Sequence, residues 1–333
     1  MERFGTHRSL EPRGVLPQQA RVLDATSPLT AEELAIDVEY LNVDSASWQQ
    51  LRASCEGDAE RMKAAIAAIV TERGKMQNPV TGSGGMLVGT VAELGDHRRE
   101  PPVGTRIATL VSLTLTPLVL DEIVDLDPDT EKVRVRGRAI LFGSGIYAVV
   151  PGDLPDEVVL GVLDVCGAPA WVHRLARPGD SVAIIGAGGK SGMLAAAAAA
   201  RKVGPEGRVL GLCWPESTCA AAKDAGAEAF AVDGTDAMAV METVAEALGG
   251  DLADLVVVCA NVPGCEGGAV MACADEGRVL FFSMATSLPA AALTAEGVGK
   301  SCEMLIGNGF VPGHADFALG LVREEPALLA RFA

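Results

Sequence analysis

Residues 181–194 read SVAIIGAGGKSGML, an apolar run that breaks into glycines and resumes as an alanine-rich helical stretch. A strand feeding a helix through such a turn lets backbone approach a phosphate group closely, with the helix N-terminus facing the anion. Five further short apolar runs follow: 208–213, 227–233, 254–261, 277–283 and 302–309. Each has the length and β-branched content of a buried parallel strand. Helical stretches at 189–203, 216–225, 236–248 and 264–275 separate the first five runs. The gap at 284–301 is less regular, and helices at 314–323 and near PALLARF close the chain. Six strands alternating with helices predict a doubly wound Rossmann sheet of strand order 3-2-1-4-5-6.

The first half follows a different pattern. LAIDVEYLNV, MLVGTVAEL, RIATLVSL, LDEIVDL and KVRVRGRAILF are β-rich runs between Gly and Pro turns. One helix is expected from about 57 to 72, with Met62, Ile66, Ile69 and Val70 on its apolar face. The chain of 333 residues is long enough for two domains. The boundary is placed in 150–156, giving a β-rich domain over 1–155 and a dinucleotide-binding domain over 156–333.

Lys plus Arg total 27 against 44 Asp plus Glu, a net charge of −17. Such a field repels nucleic acid and anionic lipid. The N-terminal MERFGTHRSLEPRG is charged throughout and has no apolar stretch for a signal peptide, and LAAAAAA is too short to span a bilayer. A cytoplasmic location is expected, with the eight cysteines reduced, since none form a C-x-x-C pair.

In the glycine turn, the strict G-x-G-x-x-G spacing from Gly186 puts Ser191 at the third glycine, and Gly192 comes one place later. Gly186, Gly188, Gly189, Lys190, Ser191 and Gly192 are the expected cofactor cradle. GGKS also imitates the end of a P-loop, but the glycine that motif requires falls on Ile184, inside the strand. The stretch after the second strand, LCWPEST, neither ends the strand on an acid nor offers an arginine, which leaves NAD and NADP both open. Asp233, Asn261 and Ser283 lie at the carboxyl ends of the third, fourth and fifth strands, where ligands bind in such sheets; turn and cap roles suit the same residues.

A β-rich domain followed by a Rossmann domain resembles the medium-chain dehydrogenase/reductase superfamily, whose first domain is GroES-like. NPVTGSGGMLVGTVAELG (78–95) is similar to the stretch that carries a zinc-binding Gly-His-Glu motif in zinc alcohol dehydrogenases. Matching Gly89, Val91 and Gly95 sets Gly85 and Met86 where His and Glu would stand. It also sets Asn42 at the first zinc cysteine and Asp44 at a proton-relaying Ser or Thr, facing the nicotinamide. The resemblance therefore implies no metal. Superfamily members usually return to the first domain after the last Rossmann helix, so that domain is expected to close here without its usual C-terminal strand and helices.

A narrower set of blocks, FGTHRSLEPRGVLPQ, LNVDSAS, ERGKMQNPVTGSGGMLVGTV, ATLVSLTLTPL, LDVCGAPA, IIGAGGKSGML and IGNGFVPGHA, runs through nearly the whole chain in order. They resemble the L-erythro-3,5-diaminohexanoate dehydrogenase family of lysine fermentation. This resemblance implies an NAD-dependent oxidative deamination of a zwitterionic diamino acid. A homodimer is expected by superfamily analogy. Zinc-free NADPH-dependent quinone or enoyl reduction and non-catalytic NAD(P) sensing are the alternatives.

Amine oxidation passes through an iminium cation, which a carboxylate stabilises and zinc would repel. A base must also take the amine proton, at a free pKa of about 10. Asp44 is the first candidate base, with an Asx turn capping a helix at Ser45–Ala53 as its plain alternative. Asp164 is the second, and His7 could tune a proton step. Arg8, Arg73 and Lys75 are candidates for the substrate carboxylate, although surface pairing is the more usual fate of such residues.

Overall fold

The computed structural model describes residues 2–333 and divides into two compact units, Met1–Leu154 and Pro155–Ala333.

The first unit opens with a small hairpin, β1 (Ser9–Glu11) against β2 (Val22–Leu23). Its body is a six-stranded antiparallel sheet of β3 (Leu34–Asn42), β4 (Met86–Leu94), β5 (Arg106–Thr109), β6 (Leu118–Leu126), β7 (Lys132–Leu141) and β8 (Tyr147–Val149). The strand order is β6-β7-β3-β4-β5-β8. Two helices, α1 (Ser45–Ser54) and α2 (Ala59–Arg73), fill the crossover between β3 and β4. Leu34 and Ile36 enter the core from the first part of β3, and an irregularity in pairing between Val38 and Tyr40 shifts the alternation so that Leu41 enters it as well; Met62, Ile66 and Val70 from α2 belong to the same core. Asp58 caps α2 by accepting from Arg61 N, and Gly74 ends it in the left-handed region with φ +62.

The second unit begins with α3 (Asp156–Leu163) and α4 (Gly167–Leu175) and continues as alternating strands and helices. The strands are β9 (Ser181–Ile185), β10 (Arg208–Cys213), β11 (Glu228–Ala231), β12 (Ala253–Val258), β13 (Cys273–Phe281) and β14 (Glu303–Ile306). They form one parallel sheet in the order β11-β10-β9-β12-β13-β14, the 3-2-1-4-5-6 order expected of a doubly wound fold. The helices are α5 (Lys190–Val203), α6 (Cys219–Asp224), α7 (Ala237–Ala247), α8 (Glu266–Ala272), α9 (Leu288–Val298), α10 (His314–Glu324) and α11 (Pro326–Leu329). Ala195–Ala199 on α5 are buried, because only small side chains let that helix approach the sheet so closely.

One boundary differs from the sequence reading. The helix expected over 264–275 stops at Ala272, and Cys273 pairs with Ala253 as the start of β13. Glu276 takes a left-handed φ of +60 within β13, in the irregular stretch between the pairings of Cys273 and Arg278.

Candidate active site

In the second unit, β9 runs straight into the glycine turn. Gly186 has φ +84, and a Cβ there would lie 2.6 Å from Ala260 N, so both conformation and space require glycine. A Cβ on Gly192 would lie 2.1 Å from Gly186 O and 2.6 Å from Ala187 Cα. Gly192 therefore performs the close helix-to-strand packing assigned to a third glycine, and Gly189 supplies the extra residue in the turn. No side chain caps α5 at Gly189, and a helix start of this kind directs backbone N–H groups toward an anion. Lys190 and Ser191 are the first two residues of that turn. This cradle fits a pyrophosphate.

Gly188 serves a different end. A Cβ on it would lie 2.5 Å from Thr218 Cβ and 2.6 Å from Thr218 O, so the loop after β10 packs directly over it. A bulky residue at 188 thus displaces Thr218 before it meets a ligand. Thr218 was not legible as part of the site. It holds its place by donating from Oγ1 to Pro215 O at 2.8 Å.

Asp233, Asn261 and Ser283 follow the carboxyl ends of β11, β12 and β13. Asp233 Oδ1 accepts from Thr235 N at 2.9 Å and Thr235 Oγ1 at 2.8 Å, and these bonds hold its carboxyl below the ordinary range. Ser283 Oγ accepts from Ala285 N at 3.1 Å. Both make turns, as their residue types allow; Asn261 is exposed.

In the first unit, β3 ends at Asn42 and α1 begins at Ser45, with Asp44 as its N-cap. Asp44 Oδ1 accepts from Ser47 N at 3.0 Å and from Ser83 Oγ at 2.9 Å. Asp44 Oδ2 is buried and has no partner within the protein. The capping reading and the catalytic reading therefore use different oxygens of one carboxylate. Behind Ser83 stand two more hydroxyls, with Ser47 and Thr81 2.6 Å apart and Ser83 3.0 Å from each. Asn78 pins this loop to α1 by donating to Gln50 Oε1 at 2.8 Å and accepting from Val80 N at 2.8 Å. The signal for this cluster was present in the sequence as NPVTGS, whose short hydroxyl residues favour local side-chain hydrogen bonds.

Asn42 pairs with Met86 across β3 and β4, so the segments matched to the zinc-binding stretches do meet. Gly85 has φ +95, and a Cβ on it would lie 2.0 Å from Asn42 O and 2.7 Å from Asp44 N. Position 85 has no room for a ligating side chain. Among the described residues no group of three or more His, Cys, Asp or Glu could hold a metal ion.

Three expected site residues turn out to be structural. Arg8 is 2 % exposed, and all five of its N–H donors are used. Nε and Nη2 hold Glu33 at 2.7 and 2.6 Å, and the other donors meet the carbonyls of Asp24, Ser27 and Pro28. It has no donor left for a substrate carboxylate. His7 Nε2 lies 2.9 Å from the same Glu33. Burial pushes the Glu33 carboxyl up, but the bonds from Arg8 and Thr30 and the charges of Arg8 and His7 outweigh it and hold the group ionised. Glu33 precedes β3 and Asp44 follows it. At about 3.3 Å per residue the strand separates them by roughly 30 Å, which removes His7 from any proton step at Asp44. His7 lines instead a cavity of about 840 Å³ that also holds Arg3, Arg13 and His97.

Lys75 is wholly buried and donates to Pro17 O at 2.8 Å and Thr114 O at 3.0 Å. It ties three chain segments together rather than waiting for a ligand. Arg73, the last residue of α2, is half-buried. Asp164 closes α3, two residues before Cys166, whose thiol burial pushes up to about 12.

Residues 7–151 match the L-erythro-3,5-diaminohexanoate dehydrogenase N-terminal domain. The chain is 46 % identical to the L-erythro-3,5-diaminohexanoate dehydrogenase of Acetoanaerobium sticklandii over 99 % of its own length and 97 % of that protein's. The chain belongs to the L-erythro-3,5-diaminohexanoate dehydrogenase family. The Fusobacterium nucleatum enzyme of the same name is also 46 % identical, over 98 % of this chain and 96 % of that one. Solved structures share the fold of this family member at low identity. A mycobacterial protein complexed with NADPH superposes with TM-score 0.58 at 16 % identity, covering 95 % of this chain and 87 % of that one. A Pseudomonas syringae quinone oxidoreductase gives 0.55 at 16 %, covering 92 % and 82 %. The fold is that of the medium-chain dehydrogenases and reductases. No single helix among the described residues is long and apolar enough to cross a membrane.

Proposed function

We infer that the chain oxidatively deaminates L-erythro-3,5-diaminohexanoate, converting it with water and NAD to 5-amino-3-oxohexanoate, ammonium and NADH. The observation that carries this reading is 46 % identity over 99 % of the chain to an enzyme of that name. The alternatives, quinone or enoyl reduction and cofactor sensing, have no comparable support.

The second unit supplies the dinucleotide site through Gly186, Gly188, Gly189, Lys190, Ser191 and Gly192, with Asp233, Asn261 and Ser283 along the same sheet edge. A nicotinamide held there would supply the hydride acceptor. We assign Asp44 as the base, because its Oδ2 is a buried acceptor without a partner while its Oδ1 is held from two sides. The amine loses its proton to Oδ2, which frees the nitrogen lone pair to expel hydride from the adjacent carbon. The proton then passes to solvent. The restored carboxylate faces an iminium and stabilises it, then accepts a proton from the water that hydrolyses it. Asp164 is the second candidate for this work, and Arg73 remains the candidate for the substrate carboxylate.

NAD is proposed over NADP because Glu216 follows β10 and no Lys or Arg lies between Cys213 and Lys223 to meet a 2′-phosphate. A homodimer is proposed because β14 pairs with β13 alone and leaves Met304 and Ile306 36 % and 63 % exposed at the sheet edge. Eight free cysteines support a cytoplasmic setting. The test is to mix enzyme, NAD and 3,5-diaminohexanoate and to measure NADH and ammonium together. Equal yields of both are expected; NADH without ammonium, or neither, refutes the assignment.

A further inference from the structure

We propose that Asn42 holds the oxygen atom that enters the substrate, its side-chain amide positioning the water that attacks the iminium carbon. This rests on the deamination reading above. Asn42 is 5 % exposed, and its Nδ2 is buried with no partner within the protein. A buried N–H donor left unmade costs about 1–3 kcal/mol, so a fold keeps one only where something offsets the loss. Two residues on, Asp44 Oδ2 is a buried acceptor in the same condition. Leu41 and Val43 both enter the core, so the extended backbone turns Asn42 and Asp44 to the opposite face together.

One donor and one acceptor unmatched on one face are what a reacting water requires. Its oxygen accepts from Asn42 Nδ2, and one of its hydrogens points at Asp44 Oδ2. As the new C–O bond forms, the C=N π electrons move to nitrogen and the proton moves to Asp44. Asp44 returns that proton to nitrogen, giving an ammonium leaving group. The hydroxyl proton then passes to Asp44 as C=O forms and C–N breaks, and from there to the departing ammonia. Iminium and water become ketone and ammonium, with every atom and charge accounted for. A carboxamide suits this place because it donates to oxygen without adding positive charge beside an iminium.

The test compares Asn42→Ala with Asn42→Ser in rapid-mixing experiments on the full chain with NAD and 3,5-diaminohexanoate, reading NADH and ammonium separately. For Asn42→Ala we expect one rapid equivalent of NADH per site at a rate within about threefold of the parent. Ammonium release should then slow by about 10²-fold, the typical loss for a preorganised donor. Asn42→Ser restores a donor and recovers part of that rate. Melting temperature should hold or rise in both, since an unmade donor is removed or shortened. Burst and steady state falling together with a raised KM would make Asn42 a substrate-binding group and overturn the proposal. So would unchanged ammonium release, or a lower melting temperature in both variants. A parent enzyme that forms no NADH with this substrate would instead refute the deamination reading itself.

Discussion

Replacing Lys75 with Met tests whether the first unit closes over an ammonium group that no carboxylate balances. Burial, and after it the charge of Arg73, pulls the Lys75 pKa from 10.5 to about 8. Below pH 8 the group is protonated both folded and unfolded, and the native state bears the whole cost of the buried charge. At about 1.36 kcal/mol per pH unit that cost is about 3 kcal/mol. Between pH 8 and 10.5 the unfolded chain binds more protons than the folded one, so this contribution to stability rises with pH; above 10.5 the cost has gone. Lys75→Met abolishes the titration while leaving Pro17 O and Thr114 O without a donor at every pH. The informative quantity is therefore the change with pH of the stability difference between parent and variant. That difference should move by about 3 kcal/mol in favour of the parent from pH 7.5 to 10.5. Urea denaturation read from Trp48, which is 4 % exposed and the first unit's only tryptophan, reports on the right unit. A difference flat to within about 1 kcal/mol across that range would show that the ammonium is compensated and that the reasoning fails.

Asp44→Asn keeps an oxygen for Ser47 N and Ser83 Oγ but removes base and charge; kcat should fall about 10²–10⁴-fold, less at high pH where more substrate amine is neutral. Near-normal kcat at neutral pH would transfer the role to Asp164. Gly192→Ala forces Cβ into backbone and should cost about 1–3 kcal/mol together with NAD affinity. Gly189→Ala, whose Cβ would lie 3.7 Å from its nearest neighbour, should leave melting unchanged, and equal destabilisation of the two would contradict the packing assigned to Gly192. Arg8→Met removes the guanidinium from the buried Glu33 carboxylate, leaving it only Thr30 N and His7, and should cost about 3–5 kcal/mol of stability with KM unaltered. A raised KM at unchanged stability would return Arg8 to the substrate site.

Strand positions in the second unit were legible because buried parallel strands are short, apolar and evenly spaced. Arg208–Cys213 was placed to the residue. The end of α8 was not, since nothing in AVMACADEG tells a reader that Cys273 will find Ala253 as a partner. In the site, Asp44 stood out through the superfamily resemblance, which sets it at a proton-relaying Ser or Thr, while its place before the expected helix supported only the capping role. Arg8 and Lys75 misled for one shared reason. A sequence shows a cation but not its burial, and the groups that occupy Arg8 and Lys75 lie 16 to 58 residues away along the chain. Asn42 was noticed only for the cysteine it replaces, because an unmatched donor is a property of surroundings and not of a residue type.

Gly85 decides what directed evolution can reach from this enzyme. Its carbonyl receives Leu113 N at 2.8 Å while its Cα lies against the backbone of Asn42 and Asp44. A library that randomises side chains around Asp44 can trade bases, reshape the substrate site or change which amine is preferred. It cannot regain a metal ligand at position 85, because the obstacle there is main chain. A descendant that binds zinc at this place would need residues re-threaded between Asn78 and Met86, an insertion or deletion rather than a substitution.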